Sequence, residues 1–256
     1  MPGLKEGSGL LFLPICGGKT AMGSESRINV ALDGMSKLAC VQLVSCVGSR
    51  TYAFKIHSLW DTEGPGVVGV LKREGAERVW VDLKLHDTPD TVALRAKAVR
   101  DAGGDIVTVH AAGGVEMMMA AVENGPPEVY AITVLTSLSE EEAHLLTGQP
   151  AKAAVLTRAR LAKLATAAGV VCSPNEVSLL SKRPELKGLT RTTPGIRIAG
   201  QAAGQQARFD TPEAAIKAGA DRLVLGSAVT KAENPAAAFD AIEAEIAKAL
   251  QEMGGA

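Results

Sequence analysis

Three charged side chains lie within six positions of one another in the segment VDLKLHDTPDT at 81–91. They are Asp82, Lys84 and Asp87. If 79–85 is a strand, its period of two places Asp82 and Lys84 on one face, and Asp87 follows the strand end. A lysine between two carboxylates stays charged, as acid–base or electrostatic catalysis requires, because buried charges must be paired. The alternative interpretation is a structural ion pair at a strand end.

A repeated strand–helix pattern that begins near residue 27 would position these residues. Short β-branched runs alternate with Ala-rich amphipathic stretches, which is typical of α/β proteins. The pattern predicts strands at 28–32, 53–57, 79–85, 106–110, 129–135, 170–172, 188–192 and 222–225. It predicts helices at about 36–47, 65–75, 90–103, 114–124, 151–168, 174–182, 211–219 and 235–251, with a short one near Ser139.

Eight strand–helix units favour a closed (β/α)8 TIM barrel that occupies residues 27–256 as one catalytic domain. The alternative is a doubly wound open sheet, which requires G-x-G-x-x-G after the first strand. The sequence there is Asp33-Gly34-Met35, which does not match. Residues 1–26 are interpreted as an N-terminal extension.

The mouth of such a barrel is formed by the C-terminal ends of its strands. We therefore expect Asp33 and Lys55 to join Asp82, Lys84 and Asp87 there. Alternating carboxylates and ammonium groups hold each other in the charged form. This arrangement is typical of catalytic sites.

The last two strand–helix units predict an anion site. The loop at 193–209 is rich in Gly and Ala and long enough to close over a ligand. Gly226-Ser227 follows the last strand and opens a helix, whose amides can bind an anion such as phosphate.

Composition excludes several classes of function. A net charge of −1 and a pI near 6.4 argue against a nucleic-acid surface. No apolar run approaches the length of a membrane span. The cysteines lack C-x-x-C spacing and the histidines form no H-x-H or H-E-x-x-H motif, so no metal site is predicted. A cytoplasmic location is expected.

Seven motifs occur in order: VALD (30–33), FK (54–55), DLKLHDTPDT (82–91), TVHAAGG (108–114), TVLTS (133–137), GVVCSP (169–174) and TPGIR (193–197). Through them the chain resembles the orotidine 5′-monophosphate decarboxylase family over nearly its whole length. D-x-K-x-x-D alone is shared across a wider suprafamily. Its combination with LTS, VVCS and TPGIR is specific.

The resemblance implies conversion of orotidine 5′-monophosphate to uridine 5′-monophosphate (UMP) and CO2 in de novo pyrimidine biosynthesis. It implies no metal, no organic cofactor and a homodimer. Lys55, Asp82, Lys84 and Asp87 would form the catalytic network, and Lys84 would protonate C6 of the pyrimidine.

The resemblance also assigns residues to substrate binding. Asp33 would bind the ribose, and Asp87 and Thr91 would reach the ribose in the partner subunit's site. The others would contact the pyrimidine (Ser137), line the base pocket (Pro194) and face the phosphate (Gln206, Gly226 and Ser227).

The chain departs from the family pattern at three places. Ser227 stands where the family usually has a phosphate-binding Arg, Gln205-Gln206 replaces an Asp-Gln pair, and His57 replaces the Gly of Lys-Val-Gly. Two alternatives therefore stay open. One is a diverged suprafamily member that acts on another phosphorylated substrate, such as the phosphosugar enzymes, which rely on a magnesium ion. The other is a non-catalytic nucleotide-binding protein, against which retention of all five charged residues argues.

Overall fold

Eight parallel strands close into a barrel in the computed structural model, which describes residues 26–196 and 210–254. Each strand pairs with the next in the sequence, and the first pairs with the last. The strands are β1 (Ile28–Ala31), β2 (Ala53–Ile56), β3 (Val79–Leu85), β4 (Ile106–His110), β5 (Glu128–Ile132), β6 (Gly169–Val171), β7 (Thr190–Thr193) and β8 (Arg222–Leu225). The predicted (β/α)8 barrel is confirmed.

Helices connect these strands around the outside of the barrel, as right-handed crossovers between parallel strands require. They are α1 (Lys37–Val47), α2 (Ser58–Glu63), α3 (Val67–Arg73), α4 (Pro89–Asp101), α5 (Gly114–Asn124), α6 (Glu140–Thr147), α7 (Ala151–Leu164), α8 (Pro174–Ser181), α9 (Pro212–Lys217), α10 (Ser227–Thr230) and α11 (Pro235–Gly254). The predicted N-cap at Ser139 is confirmed, with Glu142 completing a capping box.

Several predicted boundaries were wrong. Strand β5 was predicted to reach 135 but ends at Ile132, because the Thr133 carbonyl accepts a hydrogen bond from Arg158 Nη1 at 2.6 Å. Strand β7 was predicted to begin at 188 but begins at Thr190. Gly188 adopts a positive φ of 83°, which a strand does not accommodate. Helix α2 was not predicted, whereas the helix predicted to open at Gly226-Ser227 is present as α10.

Two apolar layers form the core. The larger lies between strands and helices, and the smaller fills the barrel interior. In the inner layer Trp80 packs edge-on against Tyr130, with ring centroids 5.5 Å apart. Near the N-terminal ends of the strands, the hydroxyls of Tyr52 and Tyr130 both donate to the carboxylate of Glu128, at 2.6 and 2.5 Å. This end of the barrel is therefore closed by paired side chains.

Residues 1–25 of the predicted extension and residues 197–209 of the predicted loop lie outside the described residues. Within the described ranges, we find no helix that combines the length and the apolar character needed to cross a bilayer.

Candidate active site

Strand β3 is irregular near Lys84, the candidate proton donor. Its register with β4 runs from Val81↔Val107 directly to Leu85↔Val109, so β3 carries two extra residues over this interval. Lys84 in this bulge adopts a φ of 47°, a region that side chains other than Gly rarely occupy. The amide of Lys84 donates to Thr108 Oγ1 at 3.0 Å. Strained backbone of this kind is concentrated at functional sites.

Four alternating charges form a continuous chain across the ends of β1, β2 and β3. Lys84 Nζ lies 2.7 Å from Asp82 Oδ2, and Lys55 Nζ lies 3.1 Å from the same oxygen. Lys55 Nζ also donates to both oxygens of Asp33, at 3.0 and 2.8 Å. The second Asp82 oxygen accepts from Thr108 Oγ1 at 2.6 Å. Each of the four charged groups therefore contacts at least one group of opposite charge.

The middle of this charged chain is buried in the barrel, and both of its ends reach the rim. The side chains of Asp82 and Lys55 are 6% and 9% exposed, whereas those of Lys84 and Asp33 are each 38% exposed. Burial by itself would raise the pKa of Asp82, but the charges of Lys55 and Lys84 and the hydrogen bonds from Lys84 and Thr108 lower this pKa to about 2. Burial would lower the pKa of Lys55, and Asp82 and Asp33 raise it instead. Both groups are thus charged at neutral pH.

A pocket of about 940 Å³ opens above this chain, a volume suited to a nucleotide-sized ligand. Asp33, Lys55, Asp82 and Lys84 line one side. The opposite wall is largely apolar and consists of Ile132, Val134, Leu135, Val171, Pro194 and Ile196. The pocket therefore offers a charged side and an apolar side to one ligand.

The remaining predicted site residues fall into two groups. Pro194, Gly226 and Ser227 line the pocket. Ser137 is exposed and does not belong to the pocket lining, where its neighbour Thr136 is found instead.

Asp87 and Thr91 also lie outside the pocket of this single chain. Asp87 accepts from the amide of Thr88 at 2.7 Å, and Thr88 Oγ1 lies 3.0 Å from Thr91 Oγ1. The sequence placed Asp87 at the same mouth, and in one chain it makes no ion pair with Lys84 among the described residues. Gln206 lies outside the described residues.

Comparison with known proteins decides the family. The sequence model described as "Orotidine 5'-phosphate decarboxylase / HUMPS family" matches residues 26–242. The chain belongs to this family.

Relatives agree along almost their whole length. The chain is 42% identical over 225 residues to a protein of Thermobifida fusca (strain YX), covering 86% of this chain and 96% of that one. It is 43% identical over 232 residues to a protein of Halorhodospira halophila (strain DSM 244 / SL1), covering 87% and 97%. Both relatives are named orotidine 5′-phosphate decarboxylase.

Solved structures show the same architecture. The orotidine 5′-phosphate decarboxylase from Lactobacillus acidophilus superposes with a TM-score of 0.71 at 31% identity, covering 86% of this chain and 99% of that chain. The corresponding enzyme from Pyrococcus horikoshii OT3 gives a TM-score of 0.72 at 27% identity, covering 86% and 98%.

Sequence reasoning missed three residues of this site. Thr108 contacts both Asp82 and the amide of Lys84. It lies in the TVHAAGG motif, but the motif alone did not assign it a role. Thr136 lines the pocket beside the predicted Ser137. His57 lies on the pocket wall with Nε2 3.1 Å from Asp33 Oδ1. The signal for His57 was its departure from the family's Gly.

Among the described residues, no group of three or more His, Cys, Asp or Glu side chains is arranged to hold a metal ion.

Proposed function

We propose that this protein is an orotidine 5′-monophosphate decarboxylase, which converts its substrate to UMP and CO2 in de novo pyrimidine biosynthesis. The observation that carries the proposal is the chain Asp33–Lys55–Asp82–Lys84 along a nucleotide-sized pocket, in a member of this family. The names of relatives above 40% identity support the same activity. The proposal includes a cytoplasmic location, as expected from the sequence.

Lys84 is the proposed proton donor. When the bond between C6 and the carboxylate carbon breaks, CO2 leaves and the electron pair stays on C6. The Lys84 ammonium stabilises this developing charge and transfers a proton to C6, after which Lys84 regains a proton from water. Its 2.7 Å contact with buried Asp82 and its constrained backbone support this role, because a donor held in place needs little reorganisation during the reaction.

The depth of the charged chain suggests how the nucleotide lies. Asp82 is the most buried of the four groups, so the reacting end of the pyrimidine belongs at Asp82 and Lys84. The ring would pack on the apolar wall that includes Val171 and Pro194. Asp33 at the rim would accept hydrogen bonds from the ribose. Ser137 is proposed to contact the pyrimidine after a shift of the segment that carries Thr136.

The phosphate end is proposed to lie at Gly226 and Ser227, which line the pocket at the end of β8. Lys231 also lines the pocket, and its ammonium can supply the positive charge that Ser227 lacks in place of the family's usual Arg. Gln206 is proposed to join them. Binding energy from the remote phosphate can raise turnover as well as affinity.

The proposal includes a homodimer in which Asp87 and Thr91 complete the partner's site. Asp87 is exposed on the turn into α4 and Thr91 is half-buried in the first turn of this helix. Both lie outside the pocket of their own chain, which supports this assignment. A carboxylate added there would give Lys84 a second anionic neighbour, like the one that Asp82 already provides.

The decisive test of the activity identifies the product. Purified protein with a chelator and orotidine 5′-monophosphate in D2O should yield UMP that carries one deuterium at C6, detected by NMR. Substrate that stays intact at high protein concentration would refute the decarboxylase. Turnover that requires added magnesium would instead favour the phosphosugar branch of the suprafamily.

Mixing two inactive variants tests the shared site. Asp87→Ala and Lys84→Ala each remove one half of a composite site. A heterodimer of the two has one site with both defects and one site with neither, so mixing should restore activity to about a quarter of wild type for random pairing at equal amounts. Activity that stays at the level of the separate variants would contradict a site built from two subunits.

A further inference from the structure

The charged chain continues beyond Asp33 to a residue that the family pattern does not contain. His57 follows the last residue of β2 and is the N-cap of α2. Its Nδ1 accepts the amide hydrogen of Ser58, which caps the helix. A neutral imidazole has one acceptor and one donor nitrogen. The proton of neutral His57 is therefore on Nε2, the atom that lies 3.1 Å from Asp33 Oδ1.

This contact leaves the two oxygens of Asp33 in different situations. Oδ1 has both Lys55 Nζ at 3.0 Å and His57 Nε2 at 3.1 Å beside it. Oδ2 has Lys55 Nζ at 2.8 Å. A carboxylate oxygen accepts about two hydrogen bonds. Oδ1 is thus occupied by the protein, and Oδ2 keeps one acceptor position for a ligand.

Lys55 holds both oxygens of Asp33 and also contacts Asp82 at 3.1 Å, so it belongs to the sugar end and to the reacting end at once. A shift of Asp33 that moved Lys55 would also disturb Asp82, which contacts Lys84. His57 has no such second role in the charged chain, since its other nitrogen is committed to the helix cap. It can therefore hold Asp33 independently of the reacting end.

We propose that His57 is a positioning residue for the sugar end of the pocket: with the ligand bound, Nε2 donates to Asp33 Oδ1, which it already contacts at 3.1 Å, so that Oδ2 faces a hydroxyl of the bound ribose. The inference rests on the proposed function for the identity of the ligand. His57 acts through Asp33 and does not reach the reacting carbon. Its removal should therefore weaken substrate binding and leave the chemical step intact.

Two substitutions separate this role from helix capping. In His57→Asn the amide oxygen takes the place of Nδ1 and preserves the cap, for which Asn is well suited, but the side chain is too short to reach Asp33. In His57→Gln the amide nitrogen extends to about the position of Nε2 and keeps the donor, while the cap is lost. Each variant thus retains one of the two functions.

The measurements are KM and kcat for orotidine 5′-monophosphate, the Kd of UMP by calorimetry, and the thermal midpoint. For His57→Asn we expect KM and the UMP Kd to rise about threefold to tenfold with kcat and the midpoint nearly unchanged. This effect is smaller than that of a buried hydrogen bond to a charged group, because the His57 and Asp33 side chains are 40% and 38% exposed. For His57→Gln we expect near wild-type KM and a lower midpoint.

Either of two results overturns the inference. The first is a His57→Asn protein with wild-type KM and UMP affinity. The second is a His57→Gln protein whose binding is as weak as that of His57→Asn, which would assign the effect to the helix cap. A wild-type protein that binds UMP but does not decarboxylate the substrate would refute the proposed function instead. In that case the inference is judged by comparing the UMP Kd of wild type with that of each His57 variant.

Discussion

Replacing Asp82 with Asn tests the centre of the charged chain. The substitution preserves shape and removes one negative charge. Asp82 Oδ2 has two ammonium groups beside it, Lys84 at 2.7 Å and Lys55 at 3.1 Å. An amide at this place leaves those two cations close together with one fewer anion, in a region where the Asp82 side chain is 6% exposed.

The expected loss of folding free energy is about 3 kcal/mol, the lower part of the range for breaking a buried ion pair, because Lys55 keeps Asp33 as its partner. The pKa of Asp82 supports this magnitude. Folding lowers this pKa from 3.8 to about 2, which corresponds to about 2 kcal/mol of stabilisation at a pH above both values. Turnover should fall by about 100-fold or more, because Lys84 loses the contact that positions it.

Urea unfolding followed by circular dichroism measures the loss of folding free energy. The decrease in absorbance as orotidine 5′-monophosphate is decarboxylated measures turnover. Asp101→Asn is the matched control, because Asp101 pairs with Lys97 at the surface of α4 and the pair is about half exposed. This control should unfold like wild type. An Asp82→Asn protein with wild-type stability and turnover would refute the electrostatic account of the site.

The pH dependence of the difference provides a second measurement. Because folding lowers the pKa of Asp82, its stabilising contribution is complete above about pH 4. It is lost as the pH falls toward 2, where the folded protein also takes up the proton. The gap in unfolding free energy between wild type and Asp82→Asn should therefore narrow from pH 4 to pH 2. A gap that stays constant over this range would contradict the assigned pKa.

Two further predictions concern the ends of the barrel. Ser227→Arg should lower KM for the phosphorylated substrate by about tenfold, since a charge-assisted hydrogen bond contributes about 1.5–3 kcal/mol. Steady-state kinetics measure this change. An unchanged KM would count against a phosphate at this position. Tyr130→Phe should lower the free energy of unfolding by about 1–2 kcal/mol, because Glu128 loses one of its two tyrosine donors, while kcat/KM stays the same at the far end of the barrel. A loss of activity in Tyr130→Phe without a loss of stability would show that the closed end takes part in function.

The architecture was predictable because it rests on local pattern. The alternation of short β-branched runs with amphipathic stretches predicted all eight strands, and β3, β4 and β8 had the predicted bounds. The placement of Asp33, Lys55, Asp82 and Lys84 at one mouth followed from the rule that parallel strands share their C-terminal edge. That rule requires no knowledge of side-chain contacts.

The features that the sequence did not predict depend on contacts between distant segments. The bulge at Lys84 is held by Thr108 on the next strand, and β5 ends early because Arg158 of α7 takes the Thr133 carbonyl. The contact between His57 and Asp33 joins the ends of two strands. Spacing within one segment carries no information about such partners, so they appear only in the folded chain.

The most direct test of the central claim follows the absorbance of orotidine 5′-monophosphate with a chelator present, for wild type, Lys84→Ala and Lys72→Ala. Lys72 is a suitable control because it pairs with Asp105, at 2.9 Å, away from the pocket. We predict rapid loss of the substrate signal with wild type and Lys72→Ala, and a rate at least about 1,000-fold lower with Lys84→Ala. A Lys84→Ala protein that decarboxylates at the wild-type rate would contradict the assignment of Lys84 as the proton donor.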